Sequence, residues 1–390
     1  MQESATIKMA KLAWDLQDEG KDIISLSLGE PDFDTPSYIK SAAINAIENN
    51  FSHYPPVPGF KDLKQAISDK FKNENGLDYS PEQIVVSTGA KHSLMNVVLC
   101  LVNPGDEVIL PAPYWVSYEA MALFAEGKVV SIESSVDTDF KITPEQLENA
   151  ITDKTKLFIF SNPCNPSGTV YSKEELQALS DVFAKNPHVY IISDEIYELI
   201  NFQGKNISLG AFESIKNQVI TVNGLSKGFA MTGWRLGYIG APLEIAKACS
   251  KVQGQFTSGA NAIAQKAAVT ALNEKSDEVT SMTSVFKQRR DLLIKEISKI
   301  DHLKVNKPEG AFYLFPDMSA YLGKSVGKYK IDNVNDFCMY LLEDALVATT
   351  PGDAFGCPHN FRISYATNDE QLIEAVSRIK KSLDKLYAGS

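Results

Sequence analysis

The strongest constraint on this fold is the regular alternation, in the middle of the chain, of short β-rich apolar runs with helical patterns. Residues 156–161, 189–193 and 218–222 read as buried strands, and 84–87 and 107–110 as further ones. Ser172-Lys-Glu-Glu175 is a capping box. Its serine and glutamate would satisfy free amides at the start of a helix running to about residue 184. Residues 90–101 read as another helix, stopped by Asn103-Pro-Gly105. Such an alternation is the signature of βαβ units around a parallel sheet, so the chain is expected to be α/β.

The last hundred residues follow a different pattern. A charged helix near 283–300 is expected, then a strand at 311–315, a helix near 334–344, a strand at 361–365 and an amphipathic helix at 369–386. These suggest a smaller α+β domain that also recruits an N-terminal helix around 5–17. The division expected is a large domain over 31–285 and a small one made of 1–30 and 286–390. A helix rather than a Gly/Pro linker crosses the boundary near 285.

At 390 residues the chain is long enough for a large buried core. Its net charge of −11 argues against nucleic acid or an anionic membrane as a partner, though not against small anionic substrates in a locally basic pocket. The five cysteines are dispersed with no C-x-x-C pair, and the five histidines lie far apart, so neither a disulfide framework nor a zinc site is expected. The N-terminal stretch has no apolar signal core, and the longest apolar run, near 94–102, is too short to span a bilayer. A cytoplasmic location is the expectation.

In an open parallel sheet, ligands bind beyond the carboxyl ends of the strands. Three such ends carry Asn162-Pro-Cys-Asn-Pro-Ser-Gly168, Asp194-Glu-Ile-Tyr197 and the loop around Lys227, so distant groups can converge on one crevice. Lys227 lies amid glycine and serine just after a strand, with Arg235 eight residues on. That suits an amine approaching a phosphorylated ligand, and desolvation or neighbouring cations would free its lone pair. Pyridoxal 5'-phosphate is the imine-forming coenzyme that matches. Asp194 suits the partner of a pyridine nitrogen, or equally a helix N-cap. Tyr197 and Asn165 suit hydrogen bonds to a phenolic oxygen, or a packed core and a turn. Ser87-Thr-Gly-Ala-Lys-His-Ser93 runs from strand to helix and offers free amides to an anion. It is neither a P-loop nor a dinucleotide fingerprint; the only Gly-Lys-Ser, at 323–325, has Met318 where the upstream glycine belongs. Arg362, in an alternating strand, can clamp a carboxylate or face water at a sheet edge. Trp115 can stack on a flat ring or fill the core.

Taken together, these motifs resemble the PLP-dependent fold-type I aminotransferases of class I/II, and within them the bacterial-type aspartate aminotransferases. The resemblance covers nearly the whole chain. It rests on Ser27-Leu-Gly-Glu-Pro-Asp-Phe33, Gly89-Ala-Lys91, Pro111-Ala-Pro-Tyr-Trp115, Asn162 to Gly168, Ser193 to Tyr197, Ser226 to Arg235 and Phe361-Arg-Ile-Ser-Tyr365, in family order. It implies Lys227 as Schiff-base lysine and proton shuttle, Asp194 at the pyridine nitrogen, and Asn165 and Tyr197 at the phenolic oxygen. It implies Gly89, Ala90 and Arg235 at the phosphate and Trp115 on the ring. Arg362 and Gly29 would meet the substrate carboxylate. The family is a homodimer, so Tyr54 would reach the neighbour's phosphate.

Three departures matter. Ser167-Gly168 replaces the usual Thr-Gly and keeps a hydroxyl. Gly224 stands where animal-type enzymes have a phosphate-binding serine, leaving the contact to Ser226 or water. Residues 252–258 lack the arginine that binds a distal carboxylate in animal-type enzymes; Lys91 is the substitute in similar bacterial-type enzymes. The activity expected is ping-pong transamination between L-aspartate and 2-oxoglutarate, with amino acids and 2-oxo acids as the partners. Aromatic, alanine, prephenate or kynurenine transamination and a PLP-dependent lyase are the alternatives within the family. A PLP-sensing regulator would need a DNA-binding domain, yet only about thirty residues precede the first site motif. A nicotinamide-dependent dehydrogenase lacks its G-x-G-x-x-G here.

Overall fold

Strand β1 (Ile24–Ser25) is followed along the chain by β2 (Ile84–Ser87), β3 (Glu107–Pro111), β4 (Lys128–Ile132), β5 (Thr155–Ser161), β6 (Tyr190–Asp194), β7 (Val219–Gly224) and β8 (Gly237–Gly240) in this computed structural model, which describes residues 5–389. The last seven form one sheet in the order β2-β8-β7-β6-β5-β3-β4. Neighbours from β7 to β4 run parallel; β8 alone runs against both β2 and β7. Every residue of β3 and β7 is buried, and all but one in each of β5 and β6. Burial on both faces is why these strands read as unbroken apolar runs.

The two faces separate by strict alternation. Val108, Leu110, Leu157, Ile159, Ile192 and Ile220 join one core cluster, which Val97 and Val98 of the helix Ala90–Leu101 and Ile245 and Cys249 of the helix Leu243–Phe256 cover. Ile109, Phe158, Phe160, Ile191 and Val219 join another, under the helices Pro144–Ala150 and Lys173–Ala184. The second of these opens on the Ser172–Glu175 capping box, whose two bonds are both present.

The remaining strands are short: β9 (Tyr313–Leu314), β10 (Ser325–Val326), β11 (Tyr329–Lys330), β12 (Val347–Ala348), β13 (Thr350–Pro351) and β14 (Phe361–Ser364). β14 lies between β13 and β9, antiparallel to both, and β1 pairs parallel with β12. One cluster gathers Met9 and Ala13 of the helix Ala5–Asp18 with Phe286, Leu293, Ile379 and Leu383. No helix among the described residues is long and apolar enough to cross a membrane.

Two elements differ from the sequence expectation. The helix expected near 283–300 spans Asp277–Ile297. The side chain of Ser276 caps it, accepting from the Glu278 amide at 3.1 Å, and its acidic first turn is exposed, so no apolar period marks the start. The strand expected at 311–315 keeps only two ladder residues. Ala311 adopts φ +55° and sends its amide to the Ile200 carbonyl at 2.8 Å, which takes the chain out of the extended run.

Candidate active site

The parallel registers bring three strand ends side by side, with Ser161 opposite Asp194 and Asp194 opposite Val222. Two further bonds extend the ladder past the strands: Asn162 donates to the Asp194 carbonyl at 3.0 Å, and Glu195 to that of Val222 at 2.8 Å. The loops that follow open on a cavity of about 270 Å³. Gly29, Ala90, Lys91, Trp115 and Asn165 line it, together with Asp194, Tyr197, Ser226, Lys227, Arg235 and Arg362. Gly89 lies directly before Ala90 in the turn that opens the helix Ala90–Leu101. Tyr54 is not part of this lining and is 96% exposed.

The Lys227 amine donates to the Gly29 carbonyl at 2.5 Å. Burial pushes its pKa down to about 8. Glu30 and Asp194 oppose that shift, while Arg362 and Arg235 add to it. A lysine whose pKa is brought down toward neutrality sheds its proton far more readily, as a nucleophile or proton carrier must. Asp194 is buried, and burial lifts it to about 6. A hydrogen bond from the Tyr118 hydroxyl to Oδ2 at 2.8 Å, another from the Ile196 amide to Oδ1 at 3.2 Å, and the Lys227 charge all pull the other way. The hydroxyls of Tyr197 and Tyr313 sit 2.8 Å apart.

At another part of the lining the helix Ala90–Leu101 presents its N-terminal amides and the positive end of its dipole. Gly89 holds φ +85°, and a Cβ there would collide with the Arg235 guanidinium; a Cβ on Gly237 would strike the Ala90 nitrogen. Arg235 thus packs against the very turn whose amides face an anion, and its Nη1 donates to the Thr232 carbonyl at 2.8 Å. Trp115 offers a flat ring, with the Lys91 ammonium 4.8 Å from its centroid and Tyr118 edge-on at 5.5 Å.

Arg362 is 1% exposed. Its Nη1 donates to the Asn165 side chain at 3.0 Å and its Nη2 to the Ser27 carbonyl at 2.6 Å. Tyr313 and Phe355 flank the guanidinium, with ring centroids 4.5 and 5.1 Å away. Its Nε is buried without a hydrogen-bond partner among the described residues, an unusual cost that a bound carboxylate would relieve. An anion cradle, a buried carboxylate, a flat indole and an amine of lowered pKa around one cavity suit a flat ring with a phosphate and a basic nitrogen. The orphaned guanidinium nitrogen suits a carboxylate beside it.

Two lining residues, Tyr118 and Tyr313, escaped the sequence reading. Tyr118 stands three residues after Trp115, where a helical turn can place both on one side, and only that spacing hinted at it. Tyr313 gave no local signal.

Comparison with known proteins gives a consistent result. The family description "Aminotransferase class I and II" matches residues 21–379. A bifunctional aspartate aminotransferase and glutamate/aspartate-prephenate aminotransferase from Petunia hybrida is 46% identical over 385 residues, covering 97% of this chain and 80% of that protein. The crystal structure of the Rhizobium meliloti aspartate aminotransferase superposes with a TM-score of 0.95 at 44% identity, over 99% of this chain and 97% of that one. The Thermus thermophilus aspartate aminotransferase with maleate gives 0.92 at 38% identity, over 98% and 97%.

Proposed function

This chain belongs to the class I and II aminotransferases, and on that premise we propose that it moves the amino group of L-aspartate to 2-oxoglutarate with pyridoxal 5'-phosphate as its cofactor. The observation that carries the cofactor reading is the half-buried Lys227 amine, its pKa lowered to about 8, which shares one cavity with Asp194 and the Gly89 turn. Gly89, Ala90, Ser226 and Arg235 would hold the phosphate, Trp115 the ring face, Asp194 the ring nitrogen, and Asn165 and Tyr197 the phenolic oxygen. When bound, the cofactor supplies an electron sink for the bond electrons released at the substrate α-carbon.

The chain's own residues do the rest. Lys227 would hold the cofactor through its amine and, when free of it, would carry a proton away from the substrate α-carbon. Asp194, held as an anion, would keep a proton on the ring nitrogen. Arg362, whose Nε has no partner among the described residues, would receive the substrate α-carboxylate beside Gly29 and so fix which bond faces Lys227. Lys91, at the cavity rim over Trp115, meets the distal carboxylate.

Aspartate is favoured because the similar proteins carry that substrate in their names and because Lys91 offers a second cation. Prephenate is the second reading, supported by the bifunctional Petunia hybrida relative. The residue roles, the split into 31–285 against 1–30 with 286–390, the cytoplasmic location and the homodimer belong to the same proposal. Exposed Ile44, Ile47, Phe256 and Tyr54 suit a dimer face, from which Tyr54 would reach the partner's phosphate.

The test is the visible absorption of purified protein supplied with the cofactor, before and after aspartate or, separately, phenylalanine. The expected result is a yellow protein bleached by aspartate alone. Bleaching by phenylalanine alone would overturn the substrate; a protein that stays colourless would overturn the cofactor.

A further inference from the structure

We infer that Tyr118 is a positioning residue for Asp194: its hydroxyl, donated to one carboxylate oxygen, keeps that carboxylate ionised and pins its plane at the cavity wall. The inference rests on the cofactor reading above, in which Asp194 faces the ring nitrogen.

The two groups meet across 76 residues of sequence. Tyr118 lies in the first turn of the helix Ser117–Phe124, and Asp194 ends β6. Both are buried, at 1% and 4% exposure, and their contact is 2.8 Å. A carboxylate enclosed in this way favours its neutral acid form unless donors or cations hold the charge. The groups facing Asp194 are few. The Ile196 amide donates from its own turn at 3.2 Å, Tyr197 lies on the same turn, and Lys227 approaches from the loop after β7. Lys227 is committed to its own covalent and proton-carrying work, so its positive charge is not a constant of the site. Tyr118 is a constant: burial first, then Asp194 itself, push its ionisation far above the ordinary phenol range. Ser161 also bonds its hydroxyl, and Cys164 is the remaining titratable neighbour. A hydrogen bond to an ionised acceptor is roughly twice as strong as a neutral one. The same ring braces Trp115 edge-on, so one side chain sets both the carboxylate and the indole.

The test is Tyr118→Phe, which removes one oxygen and keeps the ring against Trp115. The full chain is titrated with pyridoxal phosphate by visible absorption from pH 5.5 to about 9, alongside the unsubstituted chain. Binding is tighter when Asp194 is ionised, so affinity weakens as pH falls through that group's pKa. Loss of the donor raises the pKa and moves the acid limb of the affinity profile up by about one unit. The dissociation constant then rises up to about tenfold at mildly acid pH, and the two proteins converge in alkali. Introduced on Asp194→Asn, the same change leaves the profile where it is. A tyrosine that merely fills space would weaken binding equally at every pH; that result, an unmoved profile, or a shift that persists with Asp194→Asn would each overturn the inference alone. Failure of the unsubstituted chain to bind the cofactor at any pH would overturn the cofactor reading, and this inference with it.

Discussion

The turn 194–198 after β6 has two faces, and they handle buried charge in opposite ways. On the inner face Glu195 accepts from Ser208 at 2.5 Å, from Ser193 at 3.0 Å and from Asn75 at 3.4 Å, while burial lifts its carboxyl to about 7. Glu198 is bonded and ion-paired to buried Lys70 and accepts from Asn75 at 2.6 Å; Lys70 in turn donates to Asn75 at 2.7 Å. That face is closed on itself, and it ties the turn to the π-helix Phe71–Asn75. On the outer face Asp194 and Tyr197 have few partners and line the cavity with Lys227, whose amine donates to a backbone carbonyl. Two lysines beside this turn, Lys70 buried and Lys227 half-buried, thus differ in kind. Lys70 has a carboxylate and an amide and serves the fold; Lys227 is left without a carboxylate ion pair among the described residues and is free to react. Saturation of polar partners, rather than burial, separates the structural face from the reactive one.

The comparison is sharpest at Lys227. Lys227→Ala is expected to lower the transamination rate by about 10⁴-fold or more while the circular dichroism spectrum stays unchanged, because the proposed nucleophile and proton carrier would both be lost. Asp194→Asn should cost about 10²–10³-fold in kcat, the order seen when one preorganised electrostatic contact is removed, with a smaller change in KM. Lys70→Met works on the inner face. It strands Glu198 and should cost about 3–5 kcal/mol in urea unfolding, yet the folded fraction should keep its specific activity. Loss of specific activity there would dissolve the distinction between the two faces.

The smallest effect is one of pH. Because the folded-state pKa of Lys227 lies near 8, below the ordinary 10.5, its contribution to stability is fully present above the unfolded value and is lost as pH falls through 8. Cofactor-free protein should therefore gain about 2 kcal/mol between pH 8 and 10 relative to Lys227→Met in paired denaturant melts. Equal slopes for the two proteins would mean that the amine is as well solvated in the fold as in the open chain.

Much of this was legible in the residues themselves. The strands around Asp194 and Lys227 are buried on both faces, so their apolar runs announce them, and Ala90–Leu101 is bounded by a glycine turn and Asn103-Pro-Gly105. The turn Asp194-Glu-Ile-Tyr-Glu198 carries three acids, and only the one completing the strand faces the cavity. What stayed hidden depends on contacts distant in sequence. Tyr118 gains its meaning from a strand end 76 residues away, and Tyr313 from Tyr197 and Arg362. Ala311 leaves the extended path because its amide finds Ile200, which no local pattern specifies.

The segment from Ser27 to Gly29 acts as a gauge. The carbonyl of Ser27 anchors the Arg362 guanidinium and that of Gly29 anchors the Lys227 amine, so the two anchors are at most two residues of backbone apart, roughly 7 Å when extended. In the proposed chemistry one end grips a carboxylate and the other takes a proton from the carbon next to it. A backbone length is much harder to retune than a side chain. In that chemistry the gauge would suit molecules whose amine and carboxylate share one carbon, while the far end of the substrate would be chosen elsewhere.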